Sequence, residues 1–90
     1  MNTNNYILLN DCDNVAVLLK DLHQGEQIEV NGSHIVLAED ICYQHKVAIR
    51  PIAKGENILK YGLPIGHATK DIAAGEHVHE HNLTSNYNIK

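Results

Sequence analysis

Asp21-Leu-His-Gln-Gly-Glu-Gln-Ile28 recurs as Pro51-Ile-Ala-Lys-Gly-Glu-Asn-Ile58 and again as Asp71-Ile-Ala-Ala-Gly-Glu-His-Val78. A degenerate fourth copy, Asp40-Ile-Cys-Tyr-Gln-His-Lys-Val47, carries Gln44 at the glycine position. The copies that start at 21 and 51 are 30 residues apart, and those that start at 40 and 71 are 31 apart. Two halves of about 30 residues, each with two such turns, describe the pattern. The units are too few and too irregular for a solenoid, and a pseudo-twofold domain fits better.

Each unit has a local logic. Val15-Ala-Val-Leu-Leu19 and Val47-Ala-Ile-Arg50 are β-prone runs entering a unit. A short turn follows, closed by Gly25, Gly55 or Gly75, where glycine adopts positive φ without a steric cost. Leu22, Ile52 and Ile72 before the glycine, and Ile28, Ile58 and Val78 after Gly-Glu, are expected to point inward. Glu26, Glu56 and Glu76 are expected to face water as turn residues. Further strands are expected at 6–9, 28–30, 35–37, 58–61 and 78–81, with Asn31-Gly32 as a hairpin turn. Pro51 suits a strand end, and Gly62-Leu-Pro-Ile-Gly66 reads as a break. Helical periodicity is not sustained; one helical turn near 15–20 is left open. The fold class is mainly β, many short strands joined by tight turns, in a single domain over 1–90 with an ordered core at about 6–83. The polar ends, 1–5 and 84–90, are expected to be loose.

Composition narrows the function. Ninety residues without Trp or Phe, and with four Tyr, must build their core from Ile, Leu, Val and Ala. Such a core leaves little room for a deep private pocket, so a partner chain is expected from size alone. A net charge of −4 with scattered Lys and Arg excludes a basic nucleic-acid footprint. No apolar run approaches the roughly 20 residues that span a bilayer, and the N-terminus lacks a signal-peptide layout. A cytoplasmic protein is expected. Cys12 and Cys42 are read as free thiols, buried as small hydrophobes. Strand edges in such a domain leave self-association open.

One segment carries chemistry. His77, His79 and His81 stand at every second position, and on an extended strand they share one face. Such a row supplies nitrogen ligands or acid–base groups near neutrality, although a merely polar edge strand has the same pattern. His23, His34 and His67 lack companions and are read as surface histidines.

Repeated Asp-Ile-x-x-Gly-Glu-x-Ile units in a small β domain resemble the SAF domain, a β-clip fold. In order come His45-Lys-Val-Ala-Ile-Arg50, Ile52-Ala-Lys-Gly-Glu56, Lys60-Tyr-Gly-Leu-Pro-Ile-Gly66 and Ala73-Ala-Gly-Glu-His-Val-His-Glu-His-Asn82. Together they resemble the N-terminal domain of the altronate/galactarate dehydratase family, over about Tyr6 to Leu83. The small subunit of sulfolactate sulfo-lyase is similar as well. In the dehydratase family this domain usually fronts a longer lyase; the end at Lys90 resembles the form in which it is a separate small subunit. The family usually has glycine before the His-Lys pair; Gln44 here alters the turn that presents His45.

The resemblance implies loss of water from a sugar acid to a 2-keto-3-deoxy acid, as in hexuronate catabolism, with Fe²⁺ or Mn²⁺ held largely by a partner large subunit. Removing a proton beside a carboxylate builds negative charge, which a metal or fixed cations stabilise while a base and an acid move protons. On that reading His79, His81 and His45 are catalytic candidates, and His77, His79 and His81 metal ligands. Lys46, Arg50 and Lys60 suit the substrate carboxylate, and Tyr61 a substrate hydroxyl or core packing. The isolated chain is expected to be inactive. The alternative is a non-catalytic module that binds a sugar acid or caps a partner.

Overall fold

The computed structural model describes residues 5–85, and among them there is no helix. Nine short strands follow one another: β1 (Tyr6–Ile7), β2 (Val15–Leu18), β3 (Gln27–Val30), β4 (Ser33–Val36), β5 (Lys46–Ala48), β6 (Asn57–Lys60), β7 (Leu63–Ala68), β8 (His77–Val78) and β9 (Leu83–Ser85). They form a four-stranded sheet in the order β1-β2-β5-β8, a β3-β4 hairpin and a β6-β7-β9 sheet, with every pairing antiparallel. The mainly β, SAF-type expectation holds. The helical turn left open at 15–20 is strand β2 instead.

The four-stranded sheet is a wall shared by two aliphatic cores. Side chains alternate across a strand, so Ala16, Leu18 and Val47 enter one core with Leu22, Ile28, Val30, Ile35, Leu37 and Ile41. Val15, Ala48 and Val78 enter the other with Ile52, Ile58, Ala68 and Ile72. Each half thus buries its own hairpin, and the pseudo-twofold reading of the repeat has this physical form.

The repeats pair turn against turn. Leu22 and Ile41 exchange backbone hydrogen bonds of 2.9 Å, and Ile52 and Ile72 exchange bonds of 2.8 Å. The aspartate opening one copy then accepts a backbone N–H from the facing copy: Asp21 from Tyr43, Asp40 from Gln24 and Asp71 from Lys54, at 2.7–2.9 Å. Glu26 and Glu56 are exposed, as expected, but are not merely solvated, whereas Glu76 is half-buried because its turn is bonded to the shared sheet at Ala48. Glu26 Oε1 accepts the His23 N–H and Glu56 Oε1 the Ala53 N–H, each at 2.8 Å. The repeated residues are therefore a turn latch, in which short side chains satisfy backbone donors that tight turns leave unpaired.

Both hairpins turn through two residues with positive φ, Asn31 (52°) with Gly32 (85°) and Tyr61 (62°) with Gly62 (73°). Asn-Gly is ordinary there; Tyr is not. Asp13, fully buried, supports the second turn by accepting the Tyr61 N–H at 3.0 Å and the Gly62 N–H at 2.7 Å.

Several expectations are corrected. The strand expected at 78–81 stops at Val78, where Asn82 pulls the chain into a turn. The break expected at 62–66 is strand β7 from Leu63 onward. Pro64 is tolerated because it lies beyond the register shift at Ile58/Leu59 and outside the stretch paired with β9. Thr84 and Ser85, expected to be loose, are in β9; 1–4 and 86–90 lie outside the described residues. Cys12 and Cys42 are free thiols but exposed, because each sits in a turn rather than on an inward strand position. Tyr61 is 63% exposed and packs in neither core. No helix of the described residues is long and apolar enough to cross a membrane.

Candidate functional site: a histidine cluster

Gly75 brings the fourth turn to the shared sheet. Its N–H donates to Ala48 O at 2.8 Å and its carbonyl accepts the Ala38 N–H at 2.9 Å. A side chain at this position would run into the Val36 carbonyl oxygen, so only glycine fits. Strand β8 then pairs Val47 with His77 and Lys46 with Val78. Past Val78 the buried Asn82 fixes a turn: its Oδ1 accepts the His79 N–H at 2.9 Å, and its Nδ2 donates to His77 O at 2.8 Å. Just before the neighbouring strand β5, His45 is held against β2 by the Leu18 N–H donated to its carbonyl at 3.0 Å.

These three placements converge four imidazoles. His45 Nδ1 lies 2.8 Å from His77 Nε2, a hydrogen bond whose direction follows the tautomers. His45 stacks on His79 with ring centres 4.9 Å apart, His77 stacks on His79 at 5.3 Å, and His81 is 5.5 Å from His77. His45 and His77 are half-buried, while His79 and His81 are exposed. Burial holds the His77 pKa below the usual imidazole value, and the neighbouring His45, His79 and His81 lower it further; Glu39 opposes them. A neutral His77 keeps a lone pair for a metal or a proton.

The donor set fits a transition metal. One nitrogen from each of His45, His77 and His79 lies within 4.8 Å of the others. Neutral imidazoles suit Fe²⁺ and ions of similar softness better than Mn²⁺, which favours oxygen ligands. Of the expected row His77-His79-His81, the first two lie in this group with His45, the residue before β5, and His81 lies against His77.

The expected substrate-binding residues are elsewhere. Lys46 pairs across the sheet with Val17 and Val78, on the face opposite His77. Burial, and then the charge of Lys60, lower its pKa, so the two ammonium groups feel each other. Among the described residues neither lysine has an acidic partner. The Lys60 ammonium lies 5.8 Å from the centre of the Tyr61 ring. Arg50 donates to the carbonyls of Asp13 and Cys12 at 3.0 and 3.1 Å and braces the loop before β2. His23 and His34 sit near Asp40 and Glu29, exposed as expected, whereas His67 is half-buried on β7.

Two supporting residues escaped the sequence reading. Glu39 accepts the His77 N–H at 3.1 Å across 38 residues, which no local pattern announces. Asn82 was visible, three residues after His79, the spacing at which an Asn carboxamide can close a local turn.

Residues 4–86 match the family described as Altronate/galactarate dehydratase SAF domain. The altronate dehydratase of Escherichia coli (strain K12) is 51% identical over 81 residues, which are 90% of this chain and 16% of that protein. That of Bacillus subtilis (strain 168) is 42% identical over the same shares of each chain. The (2R)-sulfolactate sulfo-lyase subunit alpha of Chromohalobacter salexigens is 49% identical over 39 residues, 43% of this chain and 42% of that subunit. The chain thus spans about one sixth of the length of the altronate dehydratases it matches. By a match that covers nearly the whole chain, it belongs to the altronate/galactarate dehydratase SAF domain family.

Proposed function

We propose that this chain is the SAF part of a sugar-acid dehydratase and completes an active site whose remaining groups lie on a larger lyase chain. The product on this reading is a 2-keto-3-deoxy acid. The observation that carries it is the convergence of His45, His77, His79 and His81 on one end of the shared sheet, in a chain of a dehydratase family. A domain of this size supplies such a cluster more readily than a complete pocket.

A divalent metal bound there, Fe²⁺ by the donor set, would supply positive charge for the carboxylate next to which a proton is lost. His45, His77 and His79 would hold it. His81, exposed at the rim and outside that ligand set, would move a proton to or from a substrate presented by the lyase chain. Proton transfer by a positioned side chain contributes typically 10²–10⁴-fold. Lys46 and Lys60 offer a separate anion site on the reverse face, with Tyr61 beside it. They suit a substrate carboxylate or an acidic surface of the partner.

The test is a product assay: altronate, galactarate and sulfolactate, each with Fe²⁺ and the large lyase chain, with and without this chain. Turnover of one substrate only when the chain is present supports the reading and names the leaving group. Equal turnover without it sinks the reading and leaves a binding or capping module. Release of sulfite instead of water would select the second reading, a sulfo-lyase subunit, which the match to a sulfo-lyase subunit alpha favours.

A further inference from the structure

We infer that His45, His77 and His79 of a single chain bind one divalent transition-metal ion without ligands from any partner, and that His81 is not a ligand. The inference rests on the lyase reading for the ion's purpose and on the geometry alone for its existence.

Strand geometry itself argues against the row in the sequence. At about 3.3 Å per residue, His77 and His81 on a continuous strand would stand roughly 13 Å apart. Two nitrogens on one ion are at most about 4.2 Å apart, since each bond is about 2.1 Å. A straight His-x-His-x-His strand cannot close on one metal. The fold solves this in two ways: it ends the strand at Val78, and it brings His45, the residue before β5, beside His77. The turn that Asn82 fixes stacks the His79 ring on both of the others.

The remaining adjustment is small. The 2.8 Å between His45 Nδ1 and His77 Nε2 is a hydrogen-bond distance. Two cis ligands of one ion need about 3.0–3.4 Å, from bonds of about 2.1 Å at octahedral or tetrahedral angles. The pair must therefore open by about half an ångström. The proton on the facing nitrogen moves to the distal nitrogen of the same ring, which leaves both rings neutral and frees both lone pairs. The exposed His79 rotates to close the rest of the 4.8 Å spread. Glu39, through the His77 N–H, keeps the strand end from drifting away.

The ligand set also selects the ion. Three uncharged nitrogens favour Fe²⁺, Co²⁺, Ni²⁺ or Zn²⁺ over Mg²⁺ and Ca²⁺, which require oxygen. With no carboxylate among the three, the ion keeps its full double charge and has open positions. An α-hydroxycarboxylate, which chelates through two oxygens, is the ligand class that would fill them.

The experiment titrates the full 90-residue chain with Co²⁺ in excess Mg²⁺ and follows the visible absorption of nitrogen-coordinated Co²⁺. One Co²⁺ per chain, with the chain monomeric at saturation, is the expected result. His45→Gln, His77→Gln and His79→Gln should each weaken binding at least 100-fold, more than the 10–100-fold typical of losing a supporting residue. His81→Gln and the surface control His34→Gln should stay within threefold. Amide NMR spectra of each variant show whether it is folded. For a variant that is not, Co²⁺-induced shifts of the ring ¹⁵N resonances of His45, His77, His79 and His81 in the wild-type chain decide instead. No saturable binding overturns the inference, as does one Co²⁺ per two chains, or an effect of His81→Gln equal to that of His45→Gln. Tight Co²⁺ binding by a chain that leaves lyase turnover unchanged would uphold the site and refute the lyase reading. Chain-dependent turnover without Co²⁺ binding would do the reverse.

Discussion

Three glycines occupy the same place in the repeat, with φ of 89° at Gly25, 87° at Gly55 and 95° at Gly75, yet they should not tolerate alanine equally. A Cβ at Gly25 or Gly55 meets nothing within 4 Å. The cost there is that of a left-handed residue, about 1–2 kcal/mol, partly offset because alanine restricts the unfolded chain by about 0.4–1 kcal/mol. About 1 kcal/mol remains. At Gly75 the same methyl collides with the Val36 carbonyl oxygen and also crowds its carbon at 3.1 Å, all of it backbone. Relief requires pulling the fourth turn off the sheet, which strains the Ala38 N–H to Gly75 O and Gly75 N–H to Ala48 O bonds. Overpacking of about 1–3 kcal/mol and a weakened hydrogen bond of about 1 kcal/mol bring the total to roughly 3–5 kcal/mol. For a domain of this size 1 kcal/mol moves the melting temperature by about 4–8 °C. Gly25→Ala and Gly55→Ala should thus melt about 4–8 °C below wild type, and Gly75→Ala at least about 12 °C below. Urea unfolding followed by circular dichroism gives the free energies. A Gly75→Ala loss within about 0.5 kcal/mol of that for Gly55→Ala would refute the reasoning.

Gln44 has φ of 71° where the other copies carry glycine, so Gln44→Gly should stabilise the fold by about 0.5–1 kcal/mol in the same urea assay. Asn82→Ala removes both bonds of a buried side chain and should cost about 1–3 kcal/mol; His79 and His81 ring signals should shift far more than those of His34 in NMR spectra. The His77 pKa lies below 6.5 in the folded chain, so between 6.5 and that lower value the unfolded chain binds more protons. The associated stability is complete above pH 6.5 and is lost as pH falls through that window. Urea midpoints at pH 7.5 and 5.5 should show a steeper loss in the wild-type chain than in His77→Gln.

Much of the fold could be read from the repeat because its signals are local. Gly25, Gly55 and Gly75 marked turns by their φ, Asn31-Gly32 marked a hairpin, and Leu22, Ile28, Ile52, Ile58, Ile72 and Val78 proved buried. What stayed hidden depends on contacts distant in sequence. Tyr61 holds positive φ because Asp13 accepts its N–H across 48 residues, so β7 begins where the sequence suggested only a break. The site shows the same division. The alternation of His77, His79 and His81 announced a cluster, and His45 was singled out on its own. Their union needed the β5-β8 pairing, and the end of the strand at Val78 needed Asn82. Lys46 looked like a companion of His45, yet adjacency in a strand sends neighbours to opposite faces.

The claim that the histidine cluster serves a lyase active site is tested most directly in a chimera. The SAF region of Escherichia coli altronate dehydratase, 51% identical, is replaced by this chain, and altronate turnover is measured with and without His77→Gln/His79→Gln. The parent chimera should turn over altronate, and the folded double variant, without two of the three metal ligands, should lose at least about 100-fold in kcat, more than the 10–100-fold typical of losing a residue that only supports a ligand. Turnover by the double variant within twofold of its parent would contradict the account.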